Sequence, residues 1–165
     1  MLASSVLLHE GGHLFGFALT REPVPYLCAV PAGLTLSPRR PLSYRHELVI
    51  TLLGPLANLA AAFPLLLYTD NPAIVLLGAI NLFTAIANLL PLGGNDGERI
   101  LGDLLALHLS PALAARLTHA VSFFCFVFLL FFALFLLLSP GGGAPFLLLA
   151  TLLLRVFPSH TAQAV

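Results

Sequence analysis

Residues 7–17 read LLHEGGHLFGF. His9, Glu10 and His13 interrupt an otherwise oily run, and their spacing has a meaning. In a helix, positions i and i+4 lie on one face, so His9 and His13 can present two imidazoles to a single ion. Glu10 stands about 100° around the same helix and can reach a water on that ion without being a ligand. This is the HExxH arrangement, in which two histidines bind zinc and the glutamate is a general base. Imidazoles and carboxylates are expensive in hydrocarbon, and zinc would give the imidazoles a partner and the carboxylate a job. The competing reading is interhelical hydrogen-bonding glue, a task that rarely needs His, Glu and His together.

The rest of the chain makes this helix a membrane helix. Of 165 residues, 59% are hydrophobic and only 8% charged, and the mean hydropathy is +1.00. A typical globular domain carries about 25% charged residues. A soluble surface cannot be assembled from so few charges, so the expectation is a single-domain, all-α polytopic membrane protein in the lipid bilayer. The formal net charge is zero, and nothing suggests nucleic-acid binding. Cys28 and Cys125 are too far apart for a disulfide framework or a Cys-based metal site.

A spanning helix needs about 20 apolar residues. Such runs occupy about 2–20, 48–68, 72–92 and 117–138, and a shorter one, 146–157, is a fifth span or a half-span. Four to five transmembrane helices are therefore expected, with a catalytic core over about 2–109 and additional spans over about 110–157. Between the first two runs, Pro23, Pro25, Pro31, Pro38 and Pro41 exclude a helix. Weak alternation in AGLTL predicts a short β-like segment at the membrane face. Residues 98–109 pattern as an amphipathic helix. If the spans alternate, Arg21, Arg39, Arg40, Arg45, Arg99, Arg116 and Arg155 fall on one side, and the positive-inside rule makes that side the cytoplasm. The first span then runs inward, with its motif roughly 12 Å below the cytoplasmic end.

Catalytic zinc usually takes three protein ligands and a water. His46, His108, His119 and His160 are poor candidates, being alone or in connections. NLLPLGGNDGERI, residues 88–100, is better. Pro91 and Gly93–Gly94 break the third helix, and Asp96 follows on non-helical backbone. Broken backbone at membrane depth is tolerated where it lines a cavity or is buried in protein. Asn-Asp-Gly is also good turn chemistry, and Asp96 would serve as a helix cap. The residues alone leave both roles open.

Together these segments resemble the site-2 protease family of intramembrane metalloproteases. Its marks are HExxH in one span and Asn-x-x-Pro-x-x-x-x-Asp-Gly in a later one. Here His9-Glu10-Gly11-Gly12-His13 matches the first, and Asn88, Pro91, Asp96 and Gly97 match the second at the same spacing. Between them, Gly54-Pro55-Leu56-Ala57-Asn58 resembles the family's Gly-Pro-x-x-Asn segment. The resemblance covers about residues 5–103. It implies Zn2+ held by His9, His13 and Asp96, with Glu10 activating the water. It also implies a membrane-embedded protein substrate, cut within or near the bilayer in regulated intramembrane proteolysis. The short form looks most like the branch that includes the stage IV sporulation protease, in a bacterial cytoplasmic membrane and under a regulatory membrane partner. A helical substrate must unwind to be cut, and Asn58 and Asn88 are the residues expected to bind its freed backbone. Two other readings stay open: an inactive homologue that binds or regulates membrane proteins, and a metal-ion transporter.

Overall fold

The computed structural model describes residues 1–30, 33–139 and 143–154. Six helices and one β-hairpin follow in the order α1 (Leu2–Leu19), β1 (Tyr26–Val30), β2 (Gly33–Ser37), α2 (Tyr44–Leu67), α3 (Pro72–Leu89), α4 (Asp96–Ala106), α5 (Pro111–Leu138) and α6 (Gly143–Leu154). By length and composition, α2, α3 and α5 are long and apolar enough to cross a membrane. These are the helices of an integral membrane protein. The 18-residue α1 has comparable length but carries His9, Glu10 and His13. The 12 residues described in α6 extend only about 18 Å, and positions 155–157 of the last apolar run lie outside the described residues.

The first three helices form the bundle that holds the site. Helix α1 packs antiparallel to α2, and α2 to α3. In a bilayer such contacts come from close packing and hydrogen bonds rather than hydrophobic burial, so small residues mark them. Gly12 is one: a side chain there would run into the Leu53 carbonyl of α2. Pro55 and Pro64 stand inside α2, each removing one backbone donor from the helix. Helix α5 makes its main packing on α4 and α6. Much of its surface, including Phe123, Phe124, Phe128, Phe131 and Phe135, is exposed, as suits a lipid-facing helix.

Helix α1 closes without glycine. Thr20 is its C-cap, and Arg21 takes a left-handed conformation with φ 56°. Arg21 N–H then donates to Ala18 O at 3.2 Å and Glu22 N–H to Phe17 O at 3.0 Å, the Schellman pattern. Glu22, next along, ties the connection together. Its carboxylate accepts from Arg40 Nη2 at 2.8 Å and meets His46 Nδ1 at 2.7 Å. These bonds, His46 first and Arg40 second, hold the Glu22 carboxyl below its ordinary range. Between these anchors β1 and β2 pair antiparallel, with Tyr26 opposite Ser37 and Val30 opposite Gly33.

The break after α3 turns the chain back on itself. Asn95 Nδ2 donates to Ala87 O at 2.8 Å, satisfying a carbonyl that the ending helix leaves without a partner. Gly94 has φ 87°, which glycine adopts freely, and its N–H donates to Glu98 Oε2 at 2.9 Å. A side chain at Gly97 would collide with the carbonyls of Leu89 and Leu90. The start of α4 is thus pressed onto the end of α3, and Asp96 is carried toward α1. Arg99 Nη2 ties α4 to α2 through Glu47 Oε1 at 3.0 Å.

Candidate metal centre

Three ligand atoms from two distant segments converge. His9 Nε2 lies 2.9 Å from Asp96 Oδ2, and His13 Nε2 lies 3.4 Å from the same oxygen. The two Nε2 atoms are 3.2 Å apart. His9 and Asp96 are buried, and His13 is half-buried. Among the described residues, Asp96 Oδ2 is inaccessible and has no well-formed hydrogen bond, an expensive state for a buried carboxylate oxygen. These three residues are a group that could hold a metal ion. Ligand atoms about 2.0–2.1 Å from a tetrahedral zinc stand roughly 3.3 Å from one another, which is the spacing seen, so the residues fit such an ion.

The opposite edge of each imidazole is held by α2. His13 Nδ1 meets Ile50 O at 2.9 Å. A carbonyl only accepts, so Nδ1 carries the proton and Nε2 is left with its lone pair facing Asp96. His9 Nδ1 meets Asn58 Oδ1 at 2.8 Å. Gly54, between these two supports, leaves room for the His13 ring: a Cβ there would overlap the imidazole. Glu10 is half-buried on α1 and makes no hydrogen bond or ion pair with any described residue.

The structure brings His9, Glu10, His13 and Asp96 into one place and gives the two asparagines different settings. Asn58 was expected to meet substrate, but it is fully buried, at 0% exposure. Its Nδ2 donates to Ser5 O at 3.0 Å, Ser5 Oγ at 3.1 Å and Asn81 Oδ1 at 2.8 Å, so its amide is committed to the bundle interior. Asn88 is half-buried; its Nδ2 donates one turn back to Thr84 O at 2.9 Å, and its Oδ1 takes no bond from the described residues.

Of the other histidines, His46 pairs with Glu22, His119 Nδ1 stands 3.7 Å from Glu98 Oε1, His108 is exposed, and His160 lies outside the described residues. Sequence reasoning missed Ile50, Gly54, Ser5 and Asn81 as supports of the site. The legible signal was Ser5, Asn58 and Asn81 themselves, polar side chains in apolar spans, where such residues need partners. A backbone carbonyl such as that of Ile50 leaves no mark in a sequence.

No protein-family model and no curated protein sequence matches the chain. Among solved structures, it is similar to Site-2 Protease from Methanocaldococcus jannaschii, with a TM-score of 0.69 and 23% sequence identity over 99% of this chain and 76% of that one. The likeness is one of overall architecture: the chain has the site-2 protease fold.

Proposed function

We propose that the protein is an intramembrane zinc metalloprotease that cleaves a membrane-embedded protein substrate. The observation that carries this reading is the convergence of His9 Nε2, His13 Nε2 and Asp96 Oδ2 within 3.4 Å, with an unpaired Glu10 one residue along α1. His9, His13 and Asp96 would hold the metal, which when bound activates a water and polarises the scissile carbonyl. Glu10 takes the proton from the attacking water and returns it to the leaving amine. Burial of His9 and Asp96 in the bundle shields the site from bulk water. Asn88 Oδ1 supplies an acceptor for a substrate N–H released when a helical substrate unwinds. The fold likeness supports the same chemistry, because its solved neighbour is a protease.

The six arginines among the described residues lie toward the end of the bundle where α1 finishes and α2 and α5 begin. Their bias sets that end in the cytoplasm. The ligands on α1 are six and ten residues before Leu19, so the site lies roughly 9–15 Å from that helix end, inside the bilayer and nearer the cytoplasm. The deciding experiment uses purified protein in proteoliposomes with a single-span reporter substrate. Wild type should cleave it. Glu10→Gln, which keeps the shape and removes the base, should retain about one zinc per chain and lose 10²–10⁴-fold in turnover. Cleavage by Glu10→Gln at the wild-type rate would refute the mechanism.

A further inference from the structure

A contact between a carboxamide and an imidazole can run in either direction, because each group has a donor and an acceptor. Around His9 the direction is settled by backbone carbonyls, which only accept. Asn81 Nδ2 faces Leu77 O at 2.9 Å, so the other branch of Asn81, its Oδ1, is the atom turned toward Asn58. Asn58 therefore meets acceptors on that side: Asn81 Oδ1 at 2.8 Å and Ser5 O at 3.0 Å. Both call for its NH2 group. Asn58 Oδ1 must then be the atom facing His9, at 2.8 Å, and an oxygen there requires a hydrogen on His9 Nδ1.

A second chain has the same sense. Asn58 Nδ2 donates to Ser5 Oγ at 3.1 Å, Ser5 Oγ to Thr84 Oγ1 at 3.1 Å, and Thr84 Oγ1 to Ile80 O at 2.8 Å. It too ends on a carbonyl. Every link therefore agrees, and α1, α2 and α3 all contribute. Ser5, Asn58 and Asn81 are 0–2% exposed, so solvent does not scramble the order.

We propose that Asn58 is a positioning residue for the metal centre: the Ser5–Asn81–Thr84 network turns its Oδ1 onto His9 Nδ1, which fixes His9 as the tautomer whose Nε2 lone pair faces His13 and Asp96. Asn58's role rests on the metalloprotease reading above. His13 obtains the same service from Ile50 O, so one stretch of α2 sets both imidazoles. Partners on the far nitrogen of a liganding histidine fix its tautomer and orientation, and their loss typically costs 10–100-fold in metal affinity. Interhelical glue alone would move stability and leave the metal untouched in whatever protein remained folded.

The test uses the full chain in detergent, with zinc affinity measured by chelator competition. The His9 tautomer is read from imidazole 15N resonances of the metal-free protein at pH 8. Asn58→Leu should lower zinc affinity about 10–100-fold and release His9 from the Nδ1–H form. Asn58→Asp, ionised or protonated, still offers an oxygen to His9. It should keep affinity within about threefold of wild type and keep the Nδ1–H signature. Near-wild-type affinity in Asn58→Leu with His9 still Nδ1–H would overturn the assignment. So would a tenfold or greater loss in Asn58→Asp, which decides the matter if the leucine variant does not fold. His9→Ala and His13→Ala serve as controls. If both bind zinc like wild type, the metal reading itself fails. If both lose zinc while Asn58→Leu does not, only the positioning role fails.

Discussion

Gly54 shows how much of the site depends on an atom that is not there. Alanine is a better helix former than glycine by up to about 1 kcal/mol, so Gly→Ala in a helix is ordinarily neutral or stabilising. At position 54 the added methyl would overlap His13 and turn the ring away from Ile50 O and Asp96. Gly54→Ala should therefore weaken zinc binding by about tenfold or more, the cost of a disturbed ligand support. Gly11→Ala is the matched control, since a Cβ there meets nothing within 4 Å. It should leave zinc affinity unchanged and raise the unfolding temperature. Equal zinc binding by the two variants would mean that the close approach of α2 to His13 is not functional. Asp96→Ala tests the third ligand: it should lose zinc under conditions where wild type is saturated, and metal content measured by elemental analysis reads this directly.

At the scale of elements, α4 carries a buried acid besides Asp96. Asp96 opens α4, and Asp103 lies two turns on, near the same face. Asp103 is 6% exposed, and its Oδ2 has no hydrogen-bond partner among the described residues. Burial first, and the Glu47 charge second, push its carboxyl up to about 7 against the pull of Arg99. A folded-state value above the ordinary 3.8 means that the folded protein holds this proton more tightly than the unfolded chain. The resulting stability is fully present below about pH 4 and is lost as pH rises toward 7. Wild type should thus lose up to about 1 kcal/mol per pH unit through this window relative to Asp103→Asn, whose amide does not titrate there. Thermal unfolding or hydrogen exchange of the α4 amides from pH 5 to 8 measures it, and parallel pH profiles for the two proteins would exclude the effect. Nothing in the local pattern of residues 98–109 announced that Asp103 would be buried, because its burial comes from α2 and α5 closing over α4. The same contrast runs through the site. His9, Glu10 and His13 were legible because helical spacing is a local signal, whereas the broken helix left Asp96 open between cap and ligand, and only the family resemblance pointed to the ligand role. The contact of His9 with Asn58 spans 49 positions. The fold-back of the 91–95 segment depends on Asn95 finding Ala87 O. Pairings of this kind become visible only when the helices meet.

For the whole molecule, the charge pattern and the packing support the proposed orientation. Arg21 follows the end of α1, Arg45 opens α2, Arg116 lies in the first turns of α5, and Arg99 reaches Glu47 near the start of α2 at 3.0 Å. Antiparallel packing of α1, α2 and α3 puts the α2–α3 turn, with Asp70, at the other end. Loops rich in arginine stay in the cytoplasm, so in the proposed orientation the candidate metal centre, roughly 9–15 Å from the end of α1, would be nearer that face. With Cys28 and Cys125 replaced by serine, a single cysteine at exposed Pro41 should be labelled by a membrane-impermeant thiol reagent only in inside-out vesicles. One at exposed Asn71 should be labelled only in right-side-out vesicles or intact cells. A cysteine at Gly11, which faces open space beside Glu10, samples the depth of the site. It should react more slowly than either, because it lies at the same level of α1 as the ligands and within the bilayer. Labelling of Pro41→Cys from outside would invert the bundle and set the metal centre nearer the external face. A protease so placed could not release cytoplasmic domains, and that part of the proposed function would fall while the ligand geometry stood.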